Sequence, residues 1–311
     1  MSRSQGWTLA AAVVALAALA AVLVFVLLGQ DEAPSEAQPT PTPTAAETPG
    51  ETFNQALLGE RLTVLVIGLD GNAEREAQGL GVNTDTLMLA SVAADQAQVA
   101  LIGLPRDTVD IPLPDGSTWP SKVNAIYTGE GVETLVGAME ALFQVTVDGY
   151  VQVDMDDLPV LVDAAGGVEV DPPDPLVDPI VDLDLAPGPQ TLDGATALAY
   201  VRTRVDTDYG RMARQQEVLL DLVRRLVAPE TDVDVAALLS ELDSFATDLP
   251  LDDLPTLLEI GRRAADAPVE GVVLRRPEHI TFEGDAGDGR GYVLIPDVEA
   301  IRALAARLIG E

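Results

Sequence analysis

The chain has 311 residues, no cysteine, one histidine (His279), and 51 Asp and Glu against 18 Lys and Arg, a formal net charge of −33. That acidity argues against nucleic acid, whose backbone demands a broad basic surface, and predicts repulsion from anionic lipid headgroups. Disulfides, thiolate sites, cysteine nucleophiles, histidine triads and multi-histidine zinc sites are all excluded, so acid–base chemistry falls to carboxylates, tyrosines or the sole lysine, Lys122.

The first eight residues carry Arg3 and the α-amino group, and residues 9–28 are twenty consecutive Ala, Val, Leu or Phe. That length suits a helix crossing the hydrocarbon core. Positive charge before the run and Asp31 and Glu32 after it place the remainder outside the cell, so the expectation is a single-pass, membrane-anchored, extracytoplasmic protein. A cleaved signal peptide is the competing reading. The run exceeds the ~7–15 residues of a typical signal core, and no clear Ala-x-Ala site follows, which favours the anchor. Residues 29–56 form a Pro/Thr-rich linker centred on Pro39-Thr40-Pro41-Thr42-Pro43-Thr44. At ~3.1 Å per residue its Pro/Thr/Glu/Ala-rich part, residues 31–52, could reach about 70 Å.

A folded unit is expected over 57–228. Leu62–Gly68 reads as a buried strand, and Thr86–Val92 and Gln98–Leu104 as a hairpin turning at Ala94–Ala97. Apolar spacing predicts a helix over Gly131–Phe143. Gly149–Val153 reads as a strand, and Asp156–Ala165 as a helix stopped by Gly166-Gly167. Residues 171–190, rich in Pro and Asp, read as a long loop, and Asp193–Ala199 as a short helix. Val201–Val205 reads as the end of a strand, which would point Arg202 and Arg204 the same way. A helix follows from Asp208 and Gly210 to about Leu226, with Arg211 and Arg214 on one face near its start and Leu219, Leu222, Val223 and Leu226 toward the core. Residues 229–311 read as a C-terminal α/β extension: helices at Val233–Phe245 and Leu251–Ala265, strands at Val269–Leu274 and Gly291–Ile295, and a closing helix over Pro296–Ile309. Interleaved strands and helices imply an α/β sandwich with a mixed sheet.

Four arginines (Arg202, Arg204, Arg211, Arg214) within thirteen residues of so acidic a chain suggest an anion to be held. Guanidinium groups donate parallel hydrogen bonds to phosphate and keep their charge, and a helix N-terminus favours anions. Pairing with Asp206, Asp208 and Asp221 explains the same run equally well. Asp70, Asp85, Arg106 and Asp107 sit at strand ends, followed by Lys122-Val123-Asn124-Ala125-Ile126-Tyr127. Each aspartate alone is accounted for as a cap or turn residue. Together, aspartates and arginines have the composition of a Mg²⁺–pyrophosphate site.

The ordered set Gly-Leu-Asp70, Asn83-Thr-Asp-Thr, Pro-Arg106-Asp107, Lys122-Val-Asn-Ala-Ile-Tyr127, Val-Asp-Ala-Ala-Gly-Gly-Val and Tyr-Val-Arg202-Thr-Arg204, then Asp208-Tyr-Gly-Arg-Met-Ala-Arg-Gln-Gln, resembles the LytR–CpsA–Psr family of bacterial cell-envelope enzymes. The match runs from about Arg61 to Leu226. The resemblance implies an α/β fold with a groove for a polyprenyl-pyrophosphate lipid, and transfer of a glycopolymer phosphate from that lipid to peptidoglycan or a related wall glycan. It puts Mg²⁺ on Asp70 and Asp85, and the pyrophosphate on Arg106, Arg202, Arg204 and Arg214, with Arg211, Gln215 and Asp107 supporting. Arg106, Asp107, Arg202 and Arg204 are the expected catalytic set, with Asp107 a candidate base. Lys122 and Tyr127 match a family segment at the substrate site. The family commonly has arginine where this chain has Asn83, and Arg75 is a candidate to compensate. The lipid tail is expected between the helices at 131–143 and 156–165. The rival reading is a non-catalytic envelope protein that binds polyprenyl phosphates or wall glycan as a scaffold or regulator.

Overall fold

A computed structural model describes residues 53–70, 83–228 and 245–310. The expected membrane anchor, most of the linker, Arg75 and nearly all of the helix expected at Val233–Phe245 lie outside them. Among the described residues no helix is long and apolar enough to cross a membrane.

The elements in chain order are α1 (Gln55–Leu58), β1 (Leu62–Asp70), β2 (Asn83–Val92), β3 (Val99–Gly103), β4 (Ile111–Pro112), β5 (Thr118–Trp119), α2 (Ile126–Glu130), α3 (Val132–Phe143) and β6 (Gly149–Asp154). There follow α4 (Leu158–Ala164), β7 (Val168–Val170), β8 (Leu176–Asp178), β9 (Leu183–Leu185), β10 (Gln190–Leu192), α5 (Gly194–Arg202) and α6 (Asp208–Val227). The last are β11 (Ala246–Thr247), α7 (Leu254–Ala264), β12 (Val269–Val273), β13 (Ile280–Asp285), β14 (Tyr292–Pro296) and α8 (Val298–Leu308).

Six strands form a mixed sheet in the order β11-β6-β1-β2-β3-β12. Strand β1 runs parallel to β6 and antiparallel to β2, and β3 runs antiparallel to β2 and parallel to β12. The period-2 alternation of β1 explains the layering. Val64 and Val66 pack against α6 and α7 through Val223, Leu257 and Ile260. Leu65 and Ile67 face the opposite way, toward α3 and α8, meeting Leu135, Leu142, Phe143 and Ile301. Burying each such side chain contributes about 1.5–3 kcal/mol, so a sheet apolar on both faces requires helices on both. A third core, under α4, α5 and the small hairpins, holds Leu161, Tyr200 and Leu222. The segment after residue 228 is not a separate layer: β11 and β12 are the two edges of the main sheet.

Two expectations are corrected. Residues 201–205 are not a strand. Asp193 caps α5 by accepting from the Thr196 N–H at 2.9 Å, and the helix continues through Arg202, with Ala197, Tyr200 and Val201 buried at helical spacing. Arg202 therefore ends a helix and Arg204 lies in the connection that follows, so no strand face aligns them. Residues 171–190 are not simply loop: β8 and β9 pair antiparallel there, with Leu176, Leu183 and Leu185 buried. Strand β13 and the short elements α1, β4, β5, α2, β7, β10 and β11 are also absent from the sequence reading.

Candidate functional site: an arginine pocket beside an apolar cavity

The directions of β1, β3, β6 and β12 place their carboxyl ends at one edge of the sheet, where the amino end of β2 also lies. Ligands of α/β sheets bind outside such ends. Asp70 closes β1, Asn83 opens β2 opposite it, Arg106 and Asp107 follow β3, and Met155 follows β6. The pairing of β1 and β2 slips between Gly68↔Thr86 and Leu69↔Thr84, which leaves Asp85 as the extra residue of a β-bulge. Bulges re-aim a side chain out of the regular alternation. Gly68 permits this one, because a Cβ there would come within 2.7 Å of the Thr86 Cβ.

Asp85 is 8% exposed and holds two arginines. One carboxylate oxygen accepts from Arg106 Nη1, and the other accepts from Arg204 Nη2 at 3.3 Å. Arg211, only 2% exposed, donates Nε to Asp208 at 2.9 Å and Nη1 to the Asp85 carbonyl at 3.3 Å. Its Nη2 is buried with no hydrogen-bond partner, as is Arg106 Nε. Arg202, Arg204, Arg211, Asp85, Met155 and Val201 line one pocket. Burial, then the Arg211 and Arg106 charges, push Arg204 below the usual arginine value. Burial also opposes the charge on Arg106, but Asp85 holds it above its ordinary value. Burial works to raise the Asp208 carboxyl, yet Arg211, Arg204 and Arg106 keep it below the usual carboxylate range. Crowded guanidiniums with bare buried donors have the chemistry that suits an anion.

Not every predicted residue reaches this pocket. Arg214 turns inward, donating to the Tyr200 carbonyl (3.0 Å), the Thr203 carbonyl (2.6 Å) and the Asp206 carboxylate (2.9 and 3.0 Å). It braces the connection that carries Arg204. A Cβ at Gly210 would collide with that Asp206 carboxylate, so the brace requires glycine there. Gln215 is buried, donates to the Val201 carbonyl at 3.3 Å and lines the apolar cavity described below. Asp107 pairs with Lys122 at 2.7 Å and lies 3.8 Å from Arg106. Tyr127 packs against the α3 core and does not line the arginine pocket. Arg202 lines the pocket and pairs with Asp156 at 2.8 Å. Asp70 and Asn83 are placed by their backbones as Cα partners.

Behind the arginines lies a cavity of about 610 Å³, partly open to solvent, walled by Val66, Val153, Leu158, Leu161, Val218 and Leu219 among others. Met155 and Val201 line both this cavity and the arginine pocket. The cavity runs between the sheet, α4 and α6. Helix α3 lies on the opposite face, which corrects the expected tail site: 156–165 contributes and 131–143 does not. The sequence reading also missed Met155 and Val201 as the shared wall. Their only signal was an apolar residue next to each charged one.

Fold and site together define a class: a three-layer α/β protein whose sheet edge holds an arginine-lined pocket opening beside an apolar cavity. The chain belongs to the LytR_cpsA_psr family, whose profile matches residues 28–301. It is 33% identical over 229 residues to the probable cell wall biosynthesis protein LcpB of Corynebacterium glutamicum, across 69% of this chain and 51% of LcpB, so it spans about half of that relative's length. It is 30% identical over 249 residues to the polyisoprenyl-teichoic acid–peptidoglycan teichoic acid transferase TagU of Enterococcus faecalis, across 78% of this chain and 77% of TagU. The crystal structure of B. subtilis TagV matches the fold with a TM-score of 0.64 at 22% identity, over 81% of this chain and 98% of that one.

Proposed function

We propose that the protein is a membrane-anchored, extracytoplasmic phosphotransferase that moves a glycopolymer from a polyprenyl-pyrophosphate carrier to peptidoglycan or a related wall glycan. The observation that carries this is the shared wall at Met155 and Val201: one ligand can put a doubly phosphorylated head among arginines and an isoprenoid chain in the adjoining cavity. The named activity of TagU, a relative of similar extent, supports it.

The chemistry follows from the side chains. Arg202, Arg204, Arg211 and Arg106 hold the pyrophosphate and stabilise the charge that grows on it, with no reorganisation at the moment of reaction. An acceptor hydroxyl attacks the phosphorus nearer the glycan, and polyprenyl phosphate leaves. The transition state is loose, so positioning and charge outweigh base strength, and the proton is assigned to Asp107, beside Arg106 and Lys122. Among the described residues no group of three or more acidic, His or Cys side chains gathers to form a protein-only metal cage. Mg²⁺ is instead usually held by one or two carboxylates with substrate phosphates and water. Asp85 would be the carboxylate to hold it, sharing its oxygens with Arg106 and Arg204, with the backbone of Asp70 at the same sheet edge. When bound, Mg²⁺ neutralises pyrophosphate oxygens.

The test is turnover of a polyprenyl-pyrophosphate-linked glycan by the full chain with peptidoglycan and Mg²⁺. Release of polyprenyl phosphate is expected, with Arg204→Ala about 10²–10³-fold slower. Tight lipid binding without turnover would move the protein to the scaffold class.

A further inference from the structure

A second, partly open cavity of about 600 Å³, its solvent-filled mouth included, lies on the other side of Asp208 from the arginines. Asp107, Asp208, Tyr209, Glu283, Tyr292 and Leu294 are on its wall. It is assembled from the segment after β3, the start of α6 and the β13–β14 hairpin, three stretches far apart in sequence. Asp208 joins it to the arginine pocket, with Arg211 at 2.9 Å and Arg204 at 3.4 Å. Asp107 joins it a second time, through Arg106 and Lys122.

The two neighbouring cavities have opposite chemistry. The arginine pocket is dominated by donors, three guanidinium groups against the single carboxylate of Asp85. This one offers carboxylates from Asp107, Asp208 and Glu283, which when ionised accept hydrogen bonds and repel a phosphate. Two tyrosine rings share the wall and supply apolar faces with polar tips. Both hydroxyls point at one carboxylate: Tyr209 donates to Glu283 at 2.8 Å, and Tyr292 donates to its other oxygen. Burial, then Glu283, raise both phenols, Tyr292 to about 12, so both remain neutral donors at physiological pH. A ligand with several hydroxyl donors for the carboxylates and C–H faces for the aromatic rings suits this wall, and a sugar supplies both.

We propose that this cavity is the acceptor subsite, which binds a carbohydrate ring of the wall glycan and delivers its hydroxyl past Asp107 to the pyrophosphate. The assignment rests on the transferase reading above and adds where the acceptor enters. In the step it serves, the acceptor oxygen forms a new P–O bond to the glycan-bearing phosphorus. The bridging P–O bond breaks, its electron pair leaves with polyprenyl phosphate, and the hydroxyl proton passes to the Asp107 carboxylate.

The experiment uses the full chain in detergent and two probes in separate titrations: a soluble glycan tetrasaccharide from peptidoglycan, and farnesyl pyrophosphate. Glu283→Ala and the milder Tyr292→Phe are compared with the unsubstituted protein. Glu283→Ala is expected to weaken the tetrasaccharide about tenfold and farnesyl pyrophosphate by less than about twofold; Tyr292→Phe acts the same way but less strongly. No tetrasaccharide binding to the unsubstituted protein, unchanged affinity in both variants, or parallel loss of both probes would each overturn the subsite. Binding of both probes to the unsubstituted protein, with no release of polyprenyl phosphate from a polyprenyl-pyrophosphate-linked glycan, would instead overturn the transferase reading and leave the cavity as a glycan-binding site without an acceptor role.

Discussion

Replacing Arg211 with Met separates an anion-binding arginine from a structural one. In the free protein Arg211 makes two hydrogen bonds, to the Asp208 carboxylate and the Asp85 carbonyl, and leaves Nη2 bare and buried. A bare buried donor costs about 1–3 kcal/mol, and a charge-assisted hydrogen bond contributes about 1.5–3 kcal/mol. A phosphate oxygen that takes Nη2 relieves the first and gains the second. Methionine keeps the apolar stem and cannot donate. The expected loss is about 3 kcal/mol, roughly a hundredfold in Kd for farnesyl pyrophosphate. Stability should hardly move. Asp208 retains Arg204 at 3.4 Å, and Arg204 loses a neighbour that presses its charge down. Titration calorimetry gives the affinity, and a thermal melt of the same samples gives Tm, expected within about 4 °C of the unsubstituted protein. A Kd within about threefold, together with a Tm lowered beyond that range, would refute the reasoning and leave Arg211 as an ion-pair residue only.

Asp85→Asn removes the countercharge shared by Arg106 and Arg204. Without metal, farnesyl pyrophosphate should bind up to about tenfold more tightly, and added Mg²⁺ should no longer help; an undiminished Mg²⁺ response in titrations with and without chelator contradicts this. Arg214→Leu breaks bonds to Tyr200, Thr203 and Asp206 and should destabilise by about 3 kcal/mol, read as a lower Tm and faster amide exchange over 203–206. An unaltered melt contradicts the brace. Leu219→Trp fills part of the apolar cavity from α6 and should weaken long polyprenyl chains more than inorganic pyrophosphate; equal effects on both contradict a tail site there.

Much of the molecule was legible from period and punctuation. The run at 62–68 shows as a strand because every residue in it can be buried, and both faces are. Gly166-Gly167 marks the end of α4, where both glycines adopt positive φ. The misreading at 201–205 has an identifiable cause. Val201 and Val205 favour strand locally, but the buried set Ala197, Tyr200 and Val201 repeats at helical intervals after the Asp193 cap, and packing outweighs the weak propensity. Pro172, Pro173 and Pro175 concealed β8 and β9, whose signal was the alternation through Leu176, Leu183 and Leu185. Arginine clustering foretold the pocket, yet not which arginine braces it. Arg211 and Arg214 share a helix face in the sequence, and only the turn of the chain at 203–207 sends one to the pocket and the other to the backbone. The bulge at Asp85 and the meeting of Tyr209 with Glu283 depend on pairings between distant segments, and no local pattern encodes them.

The most direct measurement is an experimental structure of the protein with a polyprenyl pyrophosphate bound. The account predicts both phosphates among Arg202, Arg204 and Arg211, and the chain passing Met155 and Val201 into the space between the sheet, α4 and α6. A headgroup bound elsewhere, or a chain lying outside with that space still empty, would contradict it.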